Sequence, residues 1–434
     1  MSSTNRQNRL LVAEDWKRIY QSYQNADFKS YDFDNLRRSM INYLRKNYAE
    51  DFNDYIESSE YLALIDLIAF LGQNLSFRID LNARENFLEL AERRESVLRI
   101  ARMLSYNPKR NQAANGLLRI STVKTTEGVY DNNGTNLSNV TIEWNDSSNP
   151  DWYEQFTKVL NSALITSIGT PIQQGAVGTV ATSVYKLNSN SKTVPVYGFT
   201  KNIDGRNLNF EVTSCKIDDS SIIEEAPLPG NNLSLLYRDD GAGSGSANSG
   251  FFCHFRQGTL QNANFIVDTP SNNQVVALDV ENINNEDLWL YQLDSNNSEQ
   301  SIWTKVDTVE GNNVVYNSVS KNVRNIYFPQ TRLGDRVNLV FSDGTFGNLP
   351  KGSFRSYYRV SKNAAYTISP RNIRNVSINI PYINSAGKVE TLSINLELTT
   401  TVNNAAETES NDNIKVNAPA LYYTQNRMIT AEDY

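Results

Sequence analysis

The sequence is poor in the side chains that most enzymes rely on. Histidine occurs once, at His254, and cysteine twice, at Cys215 and Cys253. That inventory cannot assemble a four-cysteine, two-Cys/two-His or three-histidine zinc site. A Ser-His-Asp or Cys-His machine would have to run through His254. Two cysteines make no disulfide framework, so a reducing compartment of synthesis is expected. Walker A, HExxH and GxSxG patterns are missing. Long apolar runs are scarce too. Residues 61–71 are broken by Asp66 and fall short of the ~20 residues of a membrane helix, so a membrane is not expected as primary partner. The N-terminus lacks the apolar stretch of a secretory signal. An excess of positive charge is also lacking: 41 Lys+Arg face 48 Asp+Glu, for a net charge of −7 and a pI near 5.1. Such a chain has no general pull on phosphate backbones, and nucleic acid is not expected as partner.

What is present is length and pattern. At roughly 150 residues per domain, 434 residues make room for about three domains. The first ~110 residues carry most of the helical periodicity. After Ser58, the residues Tyr61, Leu64, Ile65, Ile68, Leu71 and Leu75 fall at helical spacing, while Leu62, Leu67 and Phe70 widen the apolar surface almost all round. A helix of that kind must be covered on several sides. A second run over 83–106 places Leu90, Val97, Ala101 and Leu104 on one face, and Pro108 ends it. Shorter helices are expected over 14–23 and 34–48.

Beyond Gly116 the period changes from 3.6 to 2. Strand-like runs recur near 117–122, 139–144, 179–185, 193–199, 208–212, 264–267, 275–280, 287–293, 314–319, 336–341, 354–360, 376–380 and 391–398, separated by segments rich in Gly, Asn, Ser or Pro. The expected class is therefore α+β: an N-terminal α-helical module (1–112), a β-rich region with loop insertions (113–270), a β domain with an Asp-Gly hairpin (271–400) and a C-terminal linker opening a helical segment (401–434). Residues 239–250 and 405–413 read as polar loops or linkers.

The remaining chemical candidates are weak. The glycines at 241, 243 and 245 follow two aspartates and precede a strand-like FFCHF, which suits a mobile surface loop better than a phosphate cradle. His254 in that strand reads as a packed residue rather than a general base. Glu224 and Glu225 would point to opposite faces of a strand and read as a solvated edge. Arg99, Arg102, Lys109 and Arg110 belong to a stretch, 84–110, with seven basic and four acidic residues, which suits a solvated or partner-facing surface. No catalytic residue, metal ligand or cofactor is expected.

Two segments carry more than composition. Over 337–352 the chain reads VNLVFSDGTFGNLPKG and then FRSYYRVS. A strand ending at Phe341, a turn at Asp343-Gly344, further glycines at Gly347 and Gly352 beside Pro350, and a returning strand make a hairpin. The chain closes with Asn417-Ala418-Pro419-Ala420 and QNRMITAEDY. Together these resemble the baseplate J-like and wedge-ring family of contractile-tailed phages and related injection machines, whose members show an FGDG-x-x-G-x-x-P hairpin and a later A-P…R-x-V-T-x-x-D-Y segment. Ser342 and Ile429 are mild departures. The stretch Leu104 to Pro108 followed by Ala113 to Leu117 also looks like that family. The long helical N-terminus is most similar to wedge ring proteins of T-even-type phages.

The resemblance implies a non-enzymatic structural subunit of a tail baseplate. It would pair with itself within a wedge, contact other wedge proteins, join wedges into a ring around the tail hub and rearrange on sheath contraction, after assembly in the host cytoplasm. Family members continue past the Asp-Tyr segment into a dimerising region, whereas this sequence stops at Tyr434. Leu62, Ile65, Phe70, Leu75, Leu90, Val97 and Leu104, with the segment after Ala405, are the expected protein interface. The alternative for these residues is packing inside their own domain. Phe341, Asp343, Gly344, Gly347, Pro350, Gly352, Pro419, Arg427, Thr430, Asp433 and Tyr434 are expected to keep the fold, with Arg427 and Asp433 tying down the terminal segment. Competing functions are a host-surface glycan binder, suggested by 23 Tyr, and a tail-associated carboxylate hydrolase.

Overall fold

A computed structural model describes residues 32–47, 59–189, 191–307, 309, 323–345 and 347–424. The chain is α+β and divides into two compact units, one formed by 1–108 with 410–434 and the other by 109–409.

The helical unit contains α1 (Phe33–Asn47), α2 (Ser59–Arg84), α3 (Arg94–Met103) and, from the C-terminal end, a further helix, Asn411–Thr424. Asp32 starts α1 by accepting the Asn35 amide at 2.8 Å, the usual service of an N-terminal aspartate. α1 lies along α2: Ile65 and Ala69 are buried, Gly72 leaves room for Leu36, and Arg37 meets Asp66 at 2.6 Å. The helical run expected over 83–106 is split. α2 continues to Arg84, and Glu85 turns inward, where its carboxylate accepts the amides of Glu92 and Arg93 at 3.1 and 3.2 Å. A buried carboxylate thus supplies the start of α3, with neither Gly nor Pro at the break. α3 ends at Met103, before Pro108, and Ser105 turns left-handed at φ 59°.

The larger unit holds two main sheets. In the ten-stranded sheet, Asn115–Thr125 lies between Val389–Leu398 and Gly250–Gln257. Helix α4 (Trp152–Ala163) covers the sheet with Phe156, Val159, Leu160 and Ala163. Those four sit at i, i+3, i+4 and i+7, a signal present in the sequence. Gly250–Gln257 is buried along its whole length, because Phe251, Cys253 and Phe255 enter the main core and Phe252 a smaller one with Val184, Cys215 and Leu236. The strand-like FFCHF is thus a strand, and burial on both faces accounts for its lack of polar alternation.

The seven-stranded sheet runs in the order Thr259–Val267, Gly352–Val360, Ile283–Leu293, Glu299–Lys305, Ile326–Thr331, Val337–Phe341, Val275–Leu278. The chain crosses from the first sheet to the second at Gly258. Its φ is 118°, and a Cβ there would lie 2.6 Å from the Val360 carbonyl oxygen, so only glycine fits. The segment expected as a separate domain over 271–400 is divided between the sheets, since Val376–Ile383 and Val389–Leu398 return to the first.

Three further expectations change. Val337–Phe341 and Gly352–Val360 are not neighbours, so 342–351 is a crossing connection and not a hairpin. Asp343 accepts the Thr345 amide at 2.9 Å, and Arg324 donates to the carbonyl of Thr345 at 3.0 Å. Gly344 and Gly352 are left-handed, and Gly347 is needed for space, its Cβ position being 2.7 Å from Ile326. Phe341, just before this connection, and Pro350 within it are buried. The glycine-rich loop over 239–250 is pinned on several sides: Asp240 accepts from Ser249 at 2.7 Å, Trp144 donates to the Ser244 carbonyl at 2.9 Å, and Thr399 to that of Ala247 at 2.8 Å. Likewise 406–409 pairs back on 109–112, through reciprocal Gln112 and Ala406 bonds and Glu409 with Lys109, instead of forming a free linker.

Candidate assembly surface

α2 is a 26-residue helix with two apolar sides, and among the described residues α1 is the helix packed along it. Its inner side is occupied: Ile65 and Ala69 are buried, and Leu62 is half-buried. On the other side Leu64, Leu67, Ile68, Leu71, Leu75 and Ile79 form a stripe, flanked by Phe70 and Phe77, and every one of these eight side chains is at least half exposed. Phe70 is 55% and Leu75 61% exposed. At about 100 Å² or more apiece, they make a patch on the order of 900 Å², beyond the few hundred Å² usual on a monomer. Within α2, Leu62–Arg84 is long and apolar enough to cross a membrane by length and composition, with a mean hydropathy of 1.4. The shorter span expected from the sequence therefore needs correcting: the interrupting Asp66 is matched by Arg37 of α1, and the apolar character resumes beyond it.

The other expected interface residues are placed differently. Val97 is buried, with Leu98 and Ala101, against Ile414 and Ala418 of α5 (Asn411–Thr424), while Leu104 packs at the margin of this cluster and Leu90 is half-buried. Asn411 ties the two helices together, accepting from Arg94 at 3.0 Å and donating to the Glu92 carbonyl at 3.1 Å. Pro419 lies inside α5, beside buried Ala418. Val416, Tyr422 and Tyr423 of α5 are exposed. Arg427, Thr430, Asp433 and Tyr434 lie outside the described residues.

In the larger unit the notable concentration of charge is internal. Arg359, with no exposed surface, forms a two-pronged pair with Glu224 at 2.7 and 2.9 Å and reaches Glu211 at 3.1 Å. Arg256 stands 3.4 Å from Glu224 and 3.5 Å from Asp287. Strands of both sheets contribute: Arg256 and Glu211 from one, Arg359 and Asp287 from the other. Burial pushes the Glu224 carboxyl above its ordinary range, offset in part by Arg359. Burial also opposes the charge of Asp287, but Arg256, Arg359 and the Asn284 amide outweigh it and hold that carboxyl low. Glu224 is thus no solvated edge. Arg110 is not solvated either: it is buried and donates to the Ile283 and Asn285 carbonyls at 3.3 and 3.0 Å. Neither residue's partner is near in sequence, so spacing alone could not find them.

The candidate nucleophiles and bases are shielded. His254 is buried, 2.9 Å from the Thr213 hydroxyl, and burial with the nearby Arg256 and Arg359 lowers its pKa to about 3. Burial raises the Cys253 thiol to about 12 and the Cys215 thiol well above its usual range. An open cleft of about 560 Å³ is lined by Arg206, Lys362 and Glu407 with Asn282, Ser361, Asn363 and Ala364.

The comparisons with known proteins match the two units separately. Residues 32–103, which span α1 to the end of α3, match the family described as bacteriophage baseplate protein, N-terminal domain. The protein is accordingly a structural protein of the phage tail baseplate, in contact with other baseplate proteins. Residues 116–401 match the family described as a domain of unknown function, DUF8360, and the chain belongs to that family. No curated protein matches the chain.

Proposed function

We propose that this protein is a baseplate wedge subunit of a contractile tail. It joins neighbouring wedges into a ring around the tail hub, and it changes contacts when the sheath contracts. It works by holding other subunits, with no bond made or broken. The observation that carries this reading is the exposed apolar stripe of α2, which falls inside the segment matching baseplate proteins. A patch of that size in water favours a permanent partner, and burying eight such side chains would contribute about 1 kcal/mol or more apiece. The absence of catalysis is supported by the shielding of His254, Cys215 and Cys253. Both cysteines are free thiols, in keeping with assembly in a reducing host cytoplasm.

Electron microscopy of intact tails before and after contraction tests this reading. The expected result is this chain in the wedge ring, with α2 covered by other subunits and at least one contact set changed by contraction. A position in a peripheral fibre, or an α2 stripe facing solvent in both states, rejects it.

A further inference from the structure

Sheet edges present unpaired backbone groups, and proteins usually protect them with charge, proline, brevity or a cover. Most edges here follow that rule. Val376–Ile383 carries Pro381, and its end is held by Asn188, which exchanges bonds with Ile383 at 2.8 and 2.9 Å. Gln173–Val177 is short, and Gln173 reaches across to both backbone groups of Ile217. Val275–Leu278 has only four residues. Thr259–Val267 is different. It has nine residues, TLQNANFIV, with no charge and no proline. One side pairs along its full length with Gly352–Val360, and the strand is terminal in its sheet.

The direction of its open groups can be read off. Leu260 donates its amide to the Glu211 carboxylate at 2.9 Å, so the amides of Leu260 and of every second residue after it point away from the neighbouring strand. Glu211 covers the beginning of the edge. The outward amides and carbonyls of Asn262, Asn264 and Ile266 have no partner among the described residues, and all three residues are exposed, Ile266 at 66%.

We propose that this edge docks the same strand of a second copy, antiparallel, with Asn264 opposite Asn264 of the copy. In that register Asn262 faces Ile266 of the copy and the reverse, so all six open amides gain carbonyl acceptors, while the end covered by Glu211 is avoided. A two-fold pairing sets Asn264 against itself and brings two copies of every neighbouring residue to the axis, so any charge there would be doubled. The lack of charge over nine residues suits a like-with-like seam and gives no code for a charged stranger. The proposal is independent of the wedge reading, which concerns α2.

The test uses the full chain. Opposed residues of a hydrogen-bonded pair have Cα atoms about 5.5 Å apart, within disulfide reach. Asn264→Cys is expected to give a covalent dimer on mild oxidation at micromolar concentration. Asn262→Cys is not, because its copies would lie about 13 Å apart. Native Cys215 and Cys253 are buried, so they do not compete. Asn264→Pro removes an outward amide and the side-chain oxygen that accepts from Arg355 at 2.9 Å, while Arg355 keeps its Glu299 partner at 2.6 Å; it is tolerated on an open edge, and is expected to abolish the reversible dimer seen by sedimentation while leaving the circular dichroism spectrum unchanged. A wild-type monomer at about 100 μM, equal cross-linking of both cysteine variants, a dimer that survives Asn264→Pro, or this edge taken by a strand of another baseplate protein each overturns the proposal.

Discussion

The two units handle unfavourable groups in opposite ways. The larger unit takes charges into its interior and satisfies them there: Arg359, Arg256, Glu224, Glu211 and Asp287 are all buried, and each has an ionic partner within 3.6 Å. The helical unit does the reverse, leaving eight large apolar side chains of α2 in water. Removing charges from water is costly, and a buried ion network is at best a modest source of stability against an apolar core of the same shape. Its better-attested use is to fix one arrangement, here the register of two sheets whose strands interleave in sequence. An exposed apolar stripe stabilises nothing until something covers it. The buried charges of the β body are therefore satisfied from within, whereas the apolar stripe of α2 stays exposed.

The harshest way to break this contrast is to remove one member of the internal network. Arg359→Met leaves Glu211, Glu224 and Asp287 with Arg256 alone. The expected loss is about 3–5 kcal/mol in urea unfolding followed by tryptophan fluorescence. Uncompensated carboxylates relieve themselves by taking up protons, so the deficit should shrink as pH falls from 8 to 5. A loss under about 1 kcal/mol at pH 8 would mean that the network holds nothing. Next in size is Gly258→Ala, which forces a Cβ against the Val360 carbonyl at a left-handed φ, for about 2–4 kcal/mol in the same assay. A neutral result would show that the crossing between sheets can relax.

These sites also mark what was legible in the sequence. The helical module, the α+β class and most strands with clean alternation could be read from period alone, because burial on one face writes period 2 or 3.6 into the chain. FFCHF reads as a strand, but its sequence does not say that Gly250–Gln257 is buried on both faces. Arg359, the closest partner of Glu224, lies 135 residues away and the carbonyls that hold Arg110 lie 173–175 away, and only the folded topology brings them close. The Asp343-Gly344 turn is legible, but nothing in it announces that its flanking strands bond to others. Of the expected interface, Phe70 and Leu75 are exposed, whereas Ile65 and Val97 sit on inner faces. Hydrophobicity alone cannot say which side of an all-round apolar helix a neighbour will take.

A smaller effect sharpens the comparison through pH. His254 is neutral in the fold down to about pH 3 and has an ordinary value of 6.5 when unfolded. Between those limits the unfolded chain binds the extra proton, so stability is full above pH 6.5 and declines as pH falls toward 3. The slope is about 1.4 kcal/mol per pH unit for one proton. His254→Gln should lower the measured slope between pH 4 and 6 by about that amount. An unchanged slope would place the acid sensitivity elsewhere, with Asp287 the next group to examine, its held-down carboxyl losing its contribution only as pH falls below about 4.

The smallest expected change in stability is the most telling about function. Leu71 lies mid-stripe on α2 and is 58% exposed. Leu71→Asp removes no buried contact of the isolated chain, and a surface change of this kind moves stability by about 0.5 kcal/mol or less. If α2 is completed by other baseplate subunits, a carboxylate in the middle of that seam must be desolvated without a counter-charge, and association should weaken by two orders of magnitude or more. Melting temperature and co-purification with the other baseplate proteins, measured on the same variant, separate the two quantities. An unchanged melting temperature with lost co-purification fits a surface kept open for a partner. A destabilised chain would instead mean that the stripe is already covered from within, and the contrast between the units would dissolve.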